Sequence, residues 1–161
     1  MLLRTLSLAV LAFLLPSSSN PAATTPQALI IWPGYTFEMP DGFCVRQKNG
    51  PDFHVLYVQD KTPEHVNLVG IYAGHAPSFE PDCVDPSDHT STVHGLTVRA
   101  VRGKDSCADF LIADPKNAQR GSLDVWFCPG AKQHPAEAEA LVASIRPAAM
   151  PFEASDLPPC E

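Results

Sequence analysis

The sequence predicts an α+β domain, a curved antiparallel sheet of six to seven strands with one C-terminal helix packed on a face. Three observations carry that expectation. Short runs of alternating apolar residues, punctuated by Gly, Pro, Asn and Asp, fill residues 35–101. The stretch from Cys107 to Cys128 matches itself as a hairpin in one register. After Pro129 and Gly130 the apolar period changes from that of a strand to that of a helix.

Before the domain comes a targeting segment. Met1 to Arg4 is a short cationic start, Leu6 to Leu15 is an almost unbroken apolar run, and Pro16 ends it. Small residues follow from Ser17 to Ala23, which is the order of parts in a secretory signal peptide. The apolar core is too short for a bilayer, which takes about 20 residues. Residues 1–23 are therefore expected to be a cleaved signal, and the protein to work in a periplasm or to be secreted. Residues 24–33 read as a flexible leader, 34–147 as a single α+β domain and 148–161 as a Pro-rich tail.

Tyr35 to Met39 alternates as the first strand, and Pro40, Asp41 and Gly42 supply a turn before Phe43 to Val45. Asn49 to Asp52 makes the next turn. Phe53 to Val58 follows, with Phe53, Val55 and Tyr57 on one face and His54, Leu56 and Val58 on the other. Val66 to Ala73 and Leu96 to Val101 are further strands, and Gly74–Ser91 and Asp114–Ser122 read as long polar loops. A hairpin centred between Asn117 and Ala118 sets Phe110 opposite Val125, Ile112 opposite Leu123 and Ala108 opposite Phe127, all on one apolar face. The other face pairs Asp109 with Trp126 and Leu111 with Asp124. Ala138, Leu141, Val142 and Ile145 recur at helical spacing, with Pro135 suited to the first turn, Glu137 and Glu139 favouring its positive end, and Pro147 closing it.

All five cysteines lie beyond the signal, so they read first as disulfide partners in an oxidising space. The hairpin register puts Cys107 opposite Cys128, within bridging distance, and Cys83 is expected to pair with Cys44. Cys160 is then left over, available for a dimer. The Asn-x-Ser/Thr acceptor pattern is absent, which favours a bacterial periplasm over a eukaryotic secretory route. The chain carries 11 basic and 18 acidic residues for a net charge of −7, and loss of Arg4 with the signal makes it −8. That balance disfavours nucleic acid and anionic lipid, which are held by Lys and Arg, and suits a basic protein partner.

No familiar catalytic signature is present: no nucleophile elbow, zinc-protease pair, dinucleotide loop or phosphate loop. One stretch gathers candidate ligands. Glu80, Asp82, Asp85 and Asp88 lie with Cys83 and His89 in ten residues, and hard oxygen ligands in a loop could take Ca²⁺. Asp82, Asp85, Asp88 and His89 are the candidate metal ligands, and a small metal-dependent enzyme using this loop with His75 or His94 is the alternative reading. A structural envelope protein is another. For binding, Trp126 with Asp109 and Asp124 is the candidate partner site, because Trp and Tyr anchor interfaces and the hairpin leaves Trp126 on the face away from the helix. Trp32, Tyr57 and Tyr72 are further aromatic candidates, although Tyr57 also suits a core position.

Two segments carry a family resemblance. Tyr35 to Phe43 resembles the opening of the PsbP/Mog1/DcrB-like domains: a strand, then Pro, an acidic residue, Gly and an aromatic. Ala138, Leu141, Val142, Ser144, Ile145 and Arg146 resemble the helix that closes them, with Val55–Val58 and Val66–Tyr72 as central strands between. The resemblance spans residues 35–146. It implies a helix-backed antiparallel sheet in a family used mostly for binding, whose members include periplasmic proteins and chaperones of secreted bacterial effectors. It carries no catalytic residue. The functional expectation is an exported binding protein, in its sharpest form an immunity or inhibitor protein against a basic cell-wall-degrading effector.

Overall fold

Alternation of apolar and polar residues builds ten strands and one helix in the computed structural model, which describes residues 27–31, 33–74, 77, 79, 81–149 and 155–160. The expected signal peptide, Trp32, His75 and Glu80 lie outside the described residues. In chain order the elements are β1 (Gln27–Ile31), β2 (Tyr35–Met39), β3 (Phe43–Asn49), β4 (Phe53–Asp60), β5 (Asn67–Gly74), β6 (Ser87–Val93), β7 (Leu96–Arg102), β8 (Ala108–Ala113), β9 (Ser122–Phe127), α1 (Pro135–Ser144) and β10 (Arg146–Pro147).

Seven strands form an antiparallel sheet in the order β3-β4-β5-β9-β8-β7-β6, and a second sheet holds β1-β2-β10. The α+β expectation holds at that level; no curled or closed sheet is observed. Adjacent strands are joined by short turns, such as His94-Gly95 between β6 and β7, both at positive φ as a tight hairpin requires. One connection is different. From β5 the chain crosses three strands to reach β6 at the far edge.

The two faces of the large sheet have separate fates. Val45, Leu56, Val58, Ile71, Ala73, Leu123, Val125, Phe110, Ile112, Val98 and Ala100 point to one side and enter a single apolar core. Leu29, Ile31, Tyr35 and Phe37 of the small sheet complete that core, as do Ala138, Leu141 and Val142 of α1. Ile31 and Leu56 line a shallow cavity toward the β3–β4 side, and Val142, Phe110 and Ile112 line another toward the β8–β6 side. The opposite face is open except where the crossover runs over it: Phe79 lies under Arg99 and Cys83 is bonded to Cys107.

Several expectations need correction. β1 occupies part of the supposed flexible leader, because Leu29 and Ile31 alternate inward and are 0% and 4% exposed. β6 lies in the supposed acidic loop; it is an edge strand with little to bury, so its polar sequence concealed it. The cysteines pair as Cys44–Cys160 and Cys83–Cys107, and Cys128 is free and buried. The Cys107–Cys128 bridge fails although its hairpin register is right. The β8–β9 ladder ends at Asp109 and Trp126; Cys128 then turns toward β5, where its N–H donates to the Leu68 carbonyl. Cys107 closes the Gly103–Cys107 turn instead, beside the arriving crossover. A Cys44–Cys83 bridge is excluded by the topology, since Cys83 is held at the turn between β7 and β8, and β3 and β8 stand four strand spacings apart, about 19 Å. With Cys160 bonded to Cys44, the C-terminal tail is tied down and offers no thiol for a dimer. Pro159 bridges Val45 and Ser155 exchanges hydrogen bonds with Ile30, so the tail also covers strand edges.

A buried polar knot joins the layers. The Arg120 guanidinium sits 3.0 Å from Asp114, with both side chains almost wholly buried. It also donates to the carbonyls of Gly34 and Ala148 and lies over the Tyr35 ring.

Candidate functional site

Strand alternation assembles the candidate partner site on the open face. Asp109 is opposite Trp126 and Leu111 is opposite Asp124, as the hairpin register required. Asp109 and Asp124 are therefore diagonal neighbours on one face. From β5, Gly70 lies opposite Trp126 and Tyr72 opposite Asp124. Gly70 leaves room for the indole, which a Cβ at that position would overlap. Trp126 then reaches across to Tyr57 on β4, ring centroids 6.1 Å apart and nearly perpendicular. Tyr72 stacks on Phe53 at 5.6 Å, so an aromatic row runs beside the two acids. Trp126, Tyr57, Tyr72 and Leu111 are all half-buried.

The acids are the unusual part. Asp124 is only 9% exposed, and Oδ1 of both Asp109 and Asp124 is buried without a hydrogen-bond partner among the described residues. The two side chains are close enough to share one proton between their carboxylates. Burial, reinforced by that shared proton and by the charge of Asp109, pushes Asp124 up to about 7. Burial raises Asp109 as well, against the hydrogen bonds it accepts. The pair titrates as a unit and carries one proton through mildly acidic pH.

Two cations lie on the same face, each held over a ring. Arg46 lies over the Tyr57 ring at 5.3 Å, and Arg99 lies over Phe79 at 5.0 Å. Arg99 is committed to Asp88, donating to Oδ2 from Nε and Nη2 at 3.0 and 2.7 Å. The buried carboxyls share their face of the sheet with Trp126, Tyr57, Tyr72 and Leu111. Such a surface can seat an incoming basic side chain, with ring faces for its cation and carboxylates for its donors.

The candidate metal ligands are not brought together. Asp88 and His89 are adjacent on β6 and point to opposite faces. Asp88 pairs with Arg99 and Asp85 with Lys104. Among the described residues no group of three or more His, Cys, Asp or Glu could hold a metal ion. His94, offered for the same chemistry, bonds the Ala143 carbonyl at 3.0 Å on the other side of the sheet. The Cys128 thiol is pushed up to about 11 by burial, which suits a filler of the interior rather than a nucleophile.

Sequence reasoning named Trp126, Asp109 and Asp124 and missed Gly70. Its signal was available, since an isolated Gly inside the strong strand Leu68–Ala73 marks a close approach. Comparison with family models, with curated proteins and with solved structures gives no match to this chain.

Proposed function

We propose that this is an exported binding protein whose open sheet face takes a basic protein partner. In its sharpest form it is an immunity or inhibitor protein that neutralises a basic cell-wall-degrading effector. The observation that supports this reading most directly is Trp126 set on Gly70 beside two buried carboxyls, each with one oxygen that has no partner among the described residues. Trp and Tyr are the residues on which binding energy concentrates, and a buried acceptor without a donor favours a partner that brings one. Net charge −7 would steer a cationic protein to the encounter. Two disulfides are compatible with an extracellular or periplasmic location, and no helix among the described residues is long and apolar enough to cross a membrane. The resemblance to PsbP/Mog1/DcrB-like domains adds a family habit of binding to the same reading.

The mechanism is an exchange of donors. A lysine or arginine of the partner takes the place of the proton shared by Asp109 and Asp124, while Trp126 and Tyr57 exclude water from the new ion pair. Affinity should therefore rise from pH 5.5 to pH 8 and fall as salt is added. A low-salt pull-down should recover a basic protein, and titration calorimetry on that pair supplies the numbers. Trp126→Ala should cost about 2 kcal/mol or more of binding. Recovery of acidic proteins alone, or an unchanged affinity for Trp126→Ala, would rule the reading out.

A further inference from the structure

A second site lies on the other side of the sheet. Helix α1 covers the core face only in part, and toward the free edge it stands off from β6, β7 and β8. The gap is a cavity of about 190 Å³. Val98 and Ala100 of β7, Phe110 and Ile112 of β8 and Val142 and Ile145 of the helix segment form its apolar lining. Polar contacts brace the helix beside it. Arg102 grips Glu139 with two hydrogen bonds at 2.5 and 2.9 Å, and His94 holds the Ala143 carbonyl at 3.0 Å. Both are links between the sheet and α1, so they hold the gap open as well as bounding it.

The mouth is polar. His89 and Ser91 alternate inward from the edge strand β6 and line the cavity beside the apolar wall. Neither side chain has a hydrogen-bond partner among the described residues, whereas Arg102 is already satisfied by Glu139. Unused donors at the rim and an apolar interior describe the two ends of an amphipathic ligand.

We infer that this cleft binds a small amphipathic molecule, with an apolar ring or short chain under α1 and a hydrogen-bond acceptor such as a carboxylate at His89 and Ser91. The size decides the class. A cavity of about 150 Å³ lined by aliphatic and aromatic groups takes a single benzene ring, whereas drug-sized ligands need about 300 Å³ or more. The site is independent of the open face, so its occupancy does not require the proposed partner.

The test uses the intact oxidised protein with hexanoate and benzoate as probes and hexylamine as the control of matched chain length. Each is titrated while backbone amide resonances are followed. The expected result is saturable shifts at Val98, Ala100, Phe110, Ile112 and Val142, with hexanoate bound at least tenfold more tightly than hexylamine. Ala143→Trp places an indole from an exposed helix position over the cavity, and should weaken both acids at least tenfold while the melting temperature and partner binding stay unchanged. Absence of saturable shifts with either acid in the wild-type protein overturns the proposal, whatever the variant does. So does equal binding of hexylamine, or acid binding that survives Ala143→Trp.

Discussion

Asp124 ties the candidate site to a measurable pH dependence. In the unfolded chain a carboxyl titrates near its ordinary value of about 3.9, whereas in the fold burial and Asp109 push Asp124 up to about 7. Between those values the native state holds the extra proton, so the pair's contribution to stability is complete below the unfolded value and is lost as pH rises through the folded one. Asp60 and Asp88 are shifted the other way: hydrogen bonds from Thr62 and Arg99 respectively lower them, so their effects fall in acid. The window from pH 5 to pH 8 therefore separates the raised pair from the lowered carboxylates. Asp124→Asn keeps the shape, cannot ionise and can still donate to Asp109. It should be more stable than wild type at pH 8 by about 2 kcal/mol and nearly equal at pH 5. Urea denaturation at both pH values checks this; a wild-type to variant difference that does not change with pH would show the carboxyls to be ordinary. The same variant should bind a basic partner more weakly, and that pair of outcomes would make these acids a case of stability given up for binding.

At the scale of elements, the fold depends on contacts that strand patterning does not reveal. Arg120 sits in the β8–β9 connection yet holds the turn before β2 and the chain after β10, through the carbonyls of Gly34 and Ala148. Arg120→Met removes those bonds and strands the Asp114 carboxylate in the interior, which should cost about 3–5 kcal/mol. Adding Asp114→Asn should recover part of that loss, and failure to recover would mean that the carbonyl contacts dominate. Gly70→Val tests a different element, since its side chain must displace the Trp126 indole. It should cost about 1–3 kcal/mol and weaken partner binding with it. What was legible in the sequence follows the same division. The β8–β9 register was readable because Phe110, Ile112, Leu123 and Val125 bury one face, and a slip of one residue would expose all four. That register also places Asp109, Asp124 and Trp126 together on the other face. β6 was not readable, because an edge strand has few residues to bury and its Thr90, Thr92 and His94-Gly95 signals were outweighed by Asp and Pro nearby. Disulfide pairing was not readable either. It depends on where the crossover lands, and local spacing contains nothing about a connection that passes over three strands.

For the molecule as a whole, the cysteines act at two ranges. Cys83–Cys107 fastens the crossover to β8 over a separation of 24 residues, and Cys44–Cys160 closes nearly the entire domain over 116. If a bridge stabilises by restricting the unfolded chain, the longer loop should matter more: loop entropy assigns about 5 kcal/mol to Cys44–Cys160 and about 3.5 kcal/mol to Cys83–Cys107. The tail adds native contacts of its own, because the Val45 N–H donates to the Pro158 carbonyl at 2.9 Å and Ser155 is bonded to Ile30. Those contacts join β1, in one sheet, to β3, in the other, so the tail works as a strap between layers. Replacing Cys44 and Cys160 together by Ser should therefore lower stability by more than replacing Cys83 and Cys107, when both are measured by denaturant under oxidising conditions. The reverse order would show that the strap is held by its backbone bonds and that the bridge merely records their presence. Cys128→Ser supplies the control, since the thiol is in neither bridge and its loss should leave the pattern of the other two intact. The same comparison bears on function through location. If the two layers depend on the bond spanning 116 residues, expression in a reducing compartment should yield a protein whose tail is open to proteolysis while the β8–β9 hairpin stays protected.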